Sequence, residues 1–266
     1  MRDIAICAGI DPDRQDVETG GSTVVIHTFG NPGDPAVVLI HPMLFSGQRM
    51  IDLLGKRIPG SHYIIAPDQG GHGEDHGPFT PKEDAAELKR FLLEKGITEV
   101  EALYAASMGG IMAMQLLSVG GIHYKTVRME GIPLARVGGI KEPLAVLSLL
   151  MARQKAIKDP ASMAAKLAPF CGEEISNSMV NQMSKLSTAN VARIQKACVT
   201  GSAVPLEQGV CGRMTFEWGE KEVNVRKGKP LAEQMYPWAE IVVLPGVGHC
   251  SRLVKEPDKV AEDLIR

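Results

Sequence analysis

One stretch restricts this chain more than any other: Glu101-Ala102-Leu103-Tyr104-Ala105-Ala106-Ser107-Met108-Gly109-Gly110-Ile111-Met112-Ala113-Met114. It begins as a short apolar run of strand character, residues 100–105, and continues without a helix breaker as far as Gly120-Gly121. A strand that turns at once into a helix brings two backbones close together, and the small residues Ala105 and Gly109 permit that approach. The residue at the turn is forced into a strained conformation with its side chain pointing away from the sheet. That residue is Ser107. Its hydroxyl would stand at a helix N-terminus, where free N–H groups and the positive dipole end suit a developing negative charge. A serine in this place can equally be a simple cap of a buried helix, and these residues alone leave both readings open.

The rest of the chain supplies the context. Residues 22–29 and 36–40 read as strands, the second a continuous apolar run suited to burial on both faces. A helix is expected over residues 48–56, and a strand over 63–66. Thr80-Pro81-Lys82-Glu83 opens a helix with Thr80 as N-cap, Pro81 at the first helical position and Glu83 completing a capping box. Ala85, Leu88, Phe91 and Leu92 form its apolar stripe, and Gly96 ends it. Residues 124–129 form another strand. Such alternation predicts an α/β fold with a mostly parallel sheet flanked by helices. From about residue 134 to 208 only helical patterns occur, with a start at Asp159-Pro160 and a face made by Ile175, Met179, Met183 and Leu186. The α/β pattern then returns with strands at 214–218 and 240–244 and helices near 230–236 and from Pro257. The expected division is a core of residues 1–133 and 209–266 with a helical cap, residues 134–208, inserted between them.

In such a fold the chemistry gathers at the carboxyl ends of the strands. Five segments lie there in order, and together they resemble the α/β-hydrolase fold family. Ala105-Ala106-Ser107-Met108-Gly109 resembles its nucleophile elbow, G-x-S-x-G, with Ala105 in place of the first glycine. His41-Pro42-Met43 resembles its His-Gly-x oxyanion loop, with Pro42 replacing glycine. Pro67-Asp68-Gln69-Gly70-Gly71-His72-Gly73 is similar to its Pro-Asp-x-x-Gly-His-Gly turn. Trp218-Gly219-Glu220-Lys221-Glu222 resembles Trp-Gly-x-x-Asp, with Glu222 at the acid position. Gly246-Val247-Gly248-His249 resembles Gly-x-Gly-His. The likeness extends from residue 22 to 266 and loses specificity in the cap.

The resemblance implies a Ser107–His249–Glu222 triad, with the backbone N–H groups of Met43 and Met108 as oxyanion donors. Glu130, at the end of the preceding strand, is the rival acid. Glu220-Lys221-Glu222 read alone is a solvated charge cluster, and His249 read alone a surface loop histidine. His41, Asp68 and His72 are read as structural, and Cys250 as packing. Acyl transfer through an acyl-enzyme follows, on an ester of a small, apolar substrate, as in a carboxylesterase. It implies no cofactor and no metal. The same scaffold carries lactonases and carbon–carbon bond hydrolases, and a non-catalytic ligand receptor on it is the alternative from another class. Met163, Phe170, Met179 and Met183 either line a substrate site or only pack the cap.

Composition narrows the partners. The 266 residues carry a net charge of -2, which gives no electrostatic case for nucleic acid. No apolar run reaches the roughly 20 residues that span a bilayer, so no membrane partner is expected. The N-terminal Met1-Arg2-Asp3-Ile4 lacks the apolar core of a signal peptide. Cys7, Cys171, Cys198, Cys211 and Cys250 are scattered and odd in number, as expected of free thiols in a cytoplasmic protein. The expected partner is a small-molecule substrate; nothing in the sequence fixes an oligomeric state.

Overall fold

The computed structural model describes residues 15–19, 22–137 and 141–266. The leader and Cys7 expectations, and the first residues of the expected core, lie outside the described residues. Eight strands form one sheet: β1 (Gln15–Thr19), β2 (Ser22–Phe29), β3 (Ala36–Ile40), β4 (Tyr63–Pro67), β5 (Glu99–Ala106), β6 (His123–Glu130), β7 (Cys211–Gly219) and β8 (Glu240–Leu244). Their order is β1-β2-β4-β3-β5-β6-β7-β8. The β1–β2 and β2–β4 pairs are antiparallel, and every later pair is parallel. This is the α/β-hydrolase fold expected from the sequence, with β1 added at the edge.

Strand alternation divides the core in two. Val38, Ile40, Leu103 and Ala105 face the side covered by α2 (Pro81–Glu94), α3 (Gly109–Ser118) and α8 (Val225–Met235), through residues such as Leu88, Met112 and Ala232. Val37, Leu39, Ala102 and Tyr104 face the side covered by α1 (Gly47–Leu53) and α10 (Pro257–Leu264), through Met50, Ile51, Val260 and Leu264. The central strands are apolar on both faces because both faces are covered.

Between β6 and β7 the described residues contain four helices, α4 (Lys141–Lys158), α5 (Pro160–Cys171), α6 (Glu173–Lys185) and α7 (Thr188–Thr200), and no strand. Asp159 caps α5 by accepting from the Ser162 N–H at 3.1 Å. The two legs of the insertion are tied at its base. Val137 N–H donates to Val199 O at 2.8 Å, and Ser202 N–H to Pro133 O at 2.9 Å. Above the base, Ala164, Val180, Met183, Leu186 and Ile194 form a third apolar cluster with Leu44, Phe79, Met108 and Ile111 of the sheet unit.

Three local expectations are corrected. Helix α1 stops at Leu53, and a 3-10 turn, Gly55–Arg57, takes over the rest of the expected 48–56 segment. The capping box at α2 does not form: the Thr80 hydroxyl donates to Asp84 Oδ1 at 3.0 Å and accepts no backbone N–H. Helix α8 begins at Val225, five residues before the expected start, and carries Pro230 inside it. Its end is held by tertiary contact, with Tyr236 buried against Phe216 at a ring-centroid distance of 5.4 Å.

Candidate active site

The crossover β3–α1–β4 goes to one side of β3, and the chain then returns past it to β5, so a crevice opens beyond the carboxyl ends of β3 and β5. Ser107 stands there, between the last residue of β5 and the first of α3. Its φ of 48° lies in the left-handed region, which costs a non-glycine residue free energy and is held only by its surroundings. Two features hold it. Ser107 N–H donates to Glu130 O at 2.8 Å. The helix also starts hard against β3: a Cβ on Gly109 would lie 2.7 Å from both Ile40 O and His41 O. Glycine is therefore needed at 109, whereas Ala105 is accommodated in the sheet.

His249 reaches this serine from the turn after β8. Its Nε2 lies 2.8 Å from Ser107 Oγ, and its Nδ1 lies 2.6 Å from Glu222 Oε2. Glu222 is buried after β7, and its second oxygen accepts the Gly219 N–H at 2.7 Å. A carboxylate can only accept, so Nδ1 of His249 carries the proton toward Glu222 and Nε2 is free to accept from the serine. The His249 side chain is 48% exposed and that of Glu222 only 1%. The acid is thus shielded and the imidazole faces solvent.

Glu130 is placed elsewhere. Its carboxylate accepts from Tyr104 OH at 2.5 Å and from Arg252 N–H at 3.2 Å. Burial raises its pKa to about 7, opposed by the Tyr104 hydrogen bond and reinforced by Glu217.

Met43 follows β3 beside the elbow, and Met108 is fully buried at the start of α3. Among the described residues, the backbone N–H groups of Met43 and Met108 donate to no acceptor. Leu44, next to Met43, has φ 72°, a second strained residue at the crevice. His41 is buried and holds this loop. Its Nε2 accepts from Gln69 N–H at 3.0 Å, which leaves Nδ1–H to donate to Pro42 O at 2.8 Å. Desolvation lowers its pKa, so it is held neutral.

Asp68 is the hub of the next turn. It accepts from Gly47 N–H at 2.7 Å, Glu74 N–H at 2.8 Å and His27 Nε2 at 3.0 Å. Burial alone would raise its pKa, but the His27 hydrogen bond and charge hold it below the ordinary value. His72 is buried beside His41, and desolvation lowers its pKa to about 3. Cys250 is buried with φ 48°, and burial pushes its thiol well above the ordinary range. Among the described residues no three His, Cys, Asp or Glu side chains gather as metal ligands would.

Of the apolar residues expected to belong to a cap, Met183 is buried, Met163 and Met179 are partly buried in the cluster that contains Met108, and Phe170 is 68% exposed. A cavity of about 830 Å³ lies at the opposite end of the sheet, lined by Thr98, His123 and Val210 among others, far from the strand ends that carry Ser107 and His249. No described helix is long and apolar enough to cross a membrane. Sequence reasoning missed Tyr104, Arg252 and His27 as partners of these carboxylates. Their pairings join residues 26 to 122 positions apart, and nothing local in the sequence marks them.

Residues 37–263 match the family described as the alpha/beta hydrolase family. Among solved structures, the chain is similar to a hydrolase from Pseudomonas aeruginosa, with TM-score 0.73 and 15% identity over 95% of this chain and 97% of that one. It is similar to an alpha/beta hydrolase family protein from Desulfitobacterium hafniense, with TM-score 0.70 and 20% identity over 89% of this chain and 96% of that one. An esterase from Exiguobacterium antarcticum gives TM-score 0.69 and 18% identity over 92% of this chain and 95% of that one. Comparison with curated proteins gave no match. These identities carry the fold, and the family match, which spans most of the chain, carries the rest: this chain belongs to the alpha/beta hydrolase family.

Proposed function

We propose that this chain is a serine hydrolase acting on ester-type bonds of small, apolar acyl substrates. The observation that carries the reading is the continuous hydrogen-bonded line from Glu222 through His249 to Ser107, at 2.6 and 2.8 Å. Its polarity is that of a nucleophile, a general base and an orienting acid. His249 Nε2 takes the Ser107 proton as Oγ attacks the carbonyl carbon. The resulting oxyanion lies toward the free N–H groups of Met43 and Met108. His249 then returns the proton to the leaving alkoxide, and an acyl-Ser107 ester remains. Water, deprotonated by the same histidine, attacks that ester; collapse breaks the bond to Ser107 Oγ, which takes the proton back from His249 as the acid leaves. Glu222 stabilises the imidazolium in both halves and fixes its tautomer.

The apolar preference is supported by Met43, Met163, Leu167 and Met179, which pack against the cluster containing Met108. The helices of residues 134–208 are read as a lid over the elbow, since Ala164, Val180 and Met183 share that cluster. Esterases and a thioesterase domain among the similar structures are consistent with the reaction class. Turnover of p-nitrophenyl esters of increasing chain length tests the proposal. Wild type is expected to hydrolyse them, and Ser107→Ala to lose about 10⁴-fold or more in kcat while melting at the wild-type temperature. Equal turnover by the variant would remove Ser107 from the mechanism. Saturable binding without turnover, by wild type and variant alike, would favour a receptor.

A further inference from the structure

We propose that Glu130 is a positioning residue for the catalytic pair: its carboxylate holds the turn that delivers His249, and its carbonyl oxygen holds the turn that delivers Ser107. This inference rests on the assignment of Ser107 and His249 given above. Glu130 ends β6, in register with Ala106 on β5 and Glu217 on β7, so it lies between the strands that precede Ser107 and Glu222. Its carbonyl takes the Ser107 N–H at 2.8 Å. Its Oε1 takes the Arg252 N–H at 3.2 Å, three residues beyond His249.

The turn between those two points needs external support. Cys250 has φ 48°, and a non-glycine residue there relaxes unless its neighbours fix it. The Cys250 thiol lies 3.8 Å from Glu130 O, a further contact to the same residue. The next residue, Gly131, meets the imidazole itself: a Cβ there would stand 3.0 Å from both His249 Cε1 and Nδ1. The histidine is therefore seated on the 130–131 backbone, while the Glu130 side chain anchors the start of α9 (Ser251–Lys255) just beyond it. On its solvent side the ring has no comparable wall, since the side chain is 48% exposed.

The carboxylate is itself held rigidly. Tyr104 OH donates to Oε2 at 2.5 Å from the neighbouring strand. Arg252, the residue whose N–H Glu130 takes, is fixed at its other end by Glu217 at 2.7 Å and Asp263 at 2.6 Å. Glu217 also accepts from Arg128 at 2.7 Å. A buried carboxyl is costly unless donors surround it, and this one meets a hydroxyl and a backbone N–H. An apolar residue would fill the space but could not hold α9.

The experiment compares Glu130→Gln, Glu130→Asp and Glu130→Ala. Glutamine keeps an acceptor oxygen at the same reach; aspartate keeps the charge but withdraws it by one methylene. Two readouts are taken well below each melting temperature: kcat and KM on a p-nitrophenyl ester, and the low-field proton resonance of His249 Nδ1–H shared with Glu222. The expected order of kcat is wild type and Gln together, Asp below them, and Ala lowest by about 10²-fold, as for a small displacement of a reacting group. KM is expected to stay near wild type, and the resonance to persist in Gln but shift or vanish in Asp and Ala. The proposal is overturned if Asp or Ala lowers only the melting temperature and leaves kcat and the resonance unchanged. If Ala does not fold, the Gln–Asp pair decides alone, and equal behaviour of the two overturns it. The resonance needs no turnover. An inactive wild type would sink the hydrolase reading and still let the resonance test whether Glu130 positions His249.

Discussion

Two sets of histidines and carboxylates stand at the same end of the sheet, and they differ chiefly in their access to water. In one, His41, Asp68 and His72 are completely buried, and His27 is nearly so. In the other, His249 is 48% exposed over a shielded Glu222. Desolvation penalises the charged imidazole in the first set, lowering His41 and taking His72 to about 3. Burial disfavours the charged form of such a histidine, which suits it to fixed hydrogen bonds. The second histidine keeps one ring nitrogen on a carboxylate and offers the other to Ser107. The same residue types thus build a prop in one place and, on the proposed reading, a base in the other.

The sharpest way to break this comparison is to remove one histidine from each set. His249→Ala is expected to lower kcat about 10⁴-fold with little change in melting temperature. His41→Ala is expected to do the reverse, lowering thermal stability by leaving Gln69 N–H and the Pro42 carbonyl without a buried partner. Steady-state kinetics and thermal melts on both variants read this directly. Comparable loss of kcat in the two would erase the distinction between prop and base.

Carboxylates offer the second contrast. Glu222→Gln is expected to lower kcat about 10³-fold at nearly constant KM, because an amide can present the wrong group to His249 Nδ1. Asp68→Asn is expected to keep most of the kcat but cost about 3 kcal/mol in denaturant unfolding. Its Oδ2 receives both His27 and Glu74 N–H, and an amide nitrogen there would face the Glu74 donor.

Much of the site was legible because its parts are local. The elbow is written in five consecutive residues, Ala105 to Gly109, and the left-handed φ of Ser107 and the close approach of Gly109 follow from a strand meeting a helix without a loop. The strand ends that carry Met43, Glu222 and His249 were read from apolar runs bounded by glycine and proline. What was not legible depends on partners far away in sequence. Thr80 looked like an N-cap, but its hydroxyl turned to Asp84. Pro230 looked like a helix start, but contacts of Ala232 and Tyr236 with the core let the helix begin at Val225. Spacing alone did not separate Glu222 from Glu130, since both follow strands, and only the resemblance favoured Glu222; the structure puts Glu222 Oε2 2.6 Å from His249 Nδ1 and sets Tyr104 and Arg252 on the Glu130 carboxylate.

A smaller effect sharpens the buried side. The folded pKa of His72, about 3, lies below its ordinary value of 6.5, so its stabilising contribution is present above 6.5 and is lost as pH falls toward 3. Between pH 7 and pH 5 this removes about 2 kcal/mol, at about 1.4 kcal/mol per pH unit below 6.5. Urea unfolding of wild type and His72→Gln at the two pH values should show a flatter dependence in the variant. Glu130 and Asp84, both raised to about 7 chiefly by burial, act in the opposite direction. Their stabilisation is present below their ordinary pKa values and is lost as pH rises through about 7, and it cancels in the wild type–variant difference.

On the proposed reading Ser107 is the nucleophile and His249 makes it one. Incubation with a fluorophosphonate, followed by mass mapping of the adduct, tests it most directly. A single phosphonyl adduct is expected on the peptide containing Ser107 in wild type, with a rate of labelling reduced by orders of magnitude in His249→Ala. An adduct on another residue, or labelling of Ser107 at the same rate without His249, would contradict it.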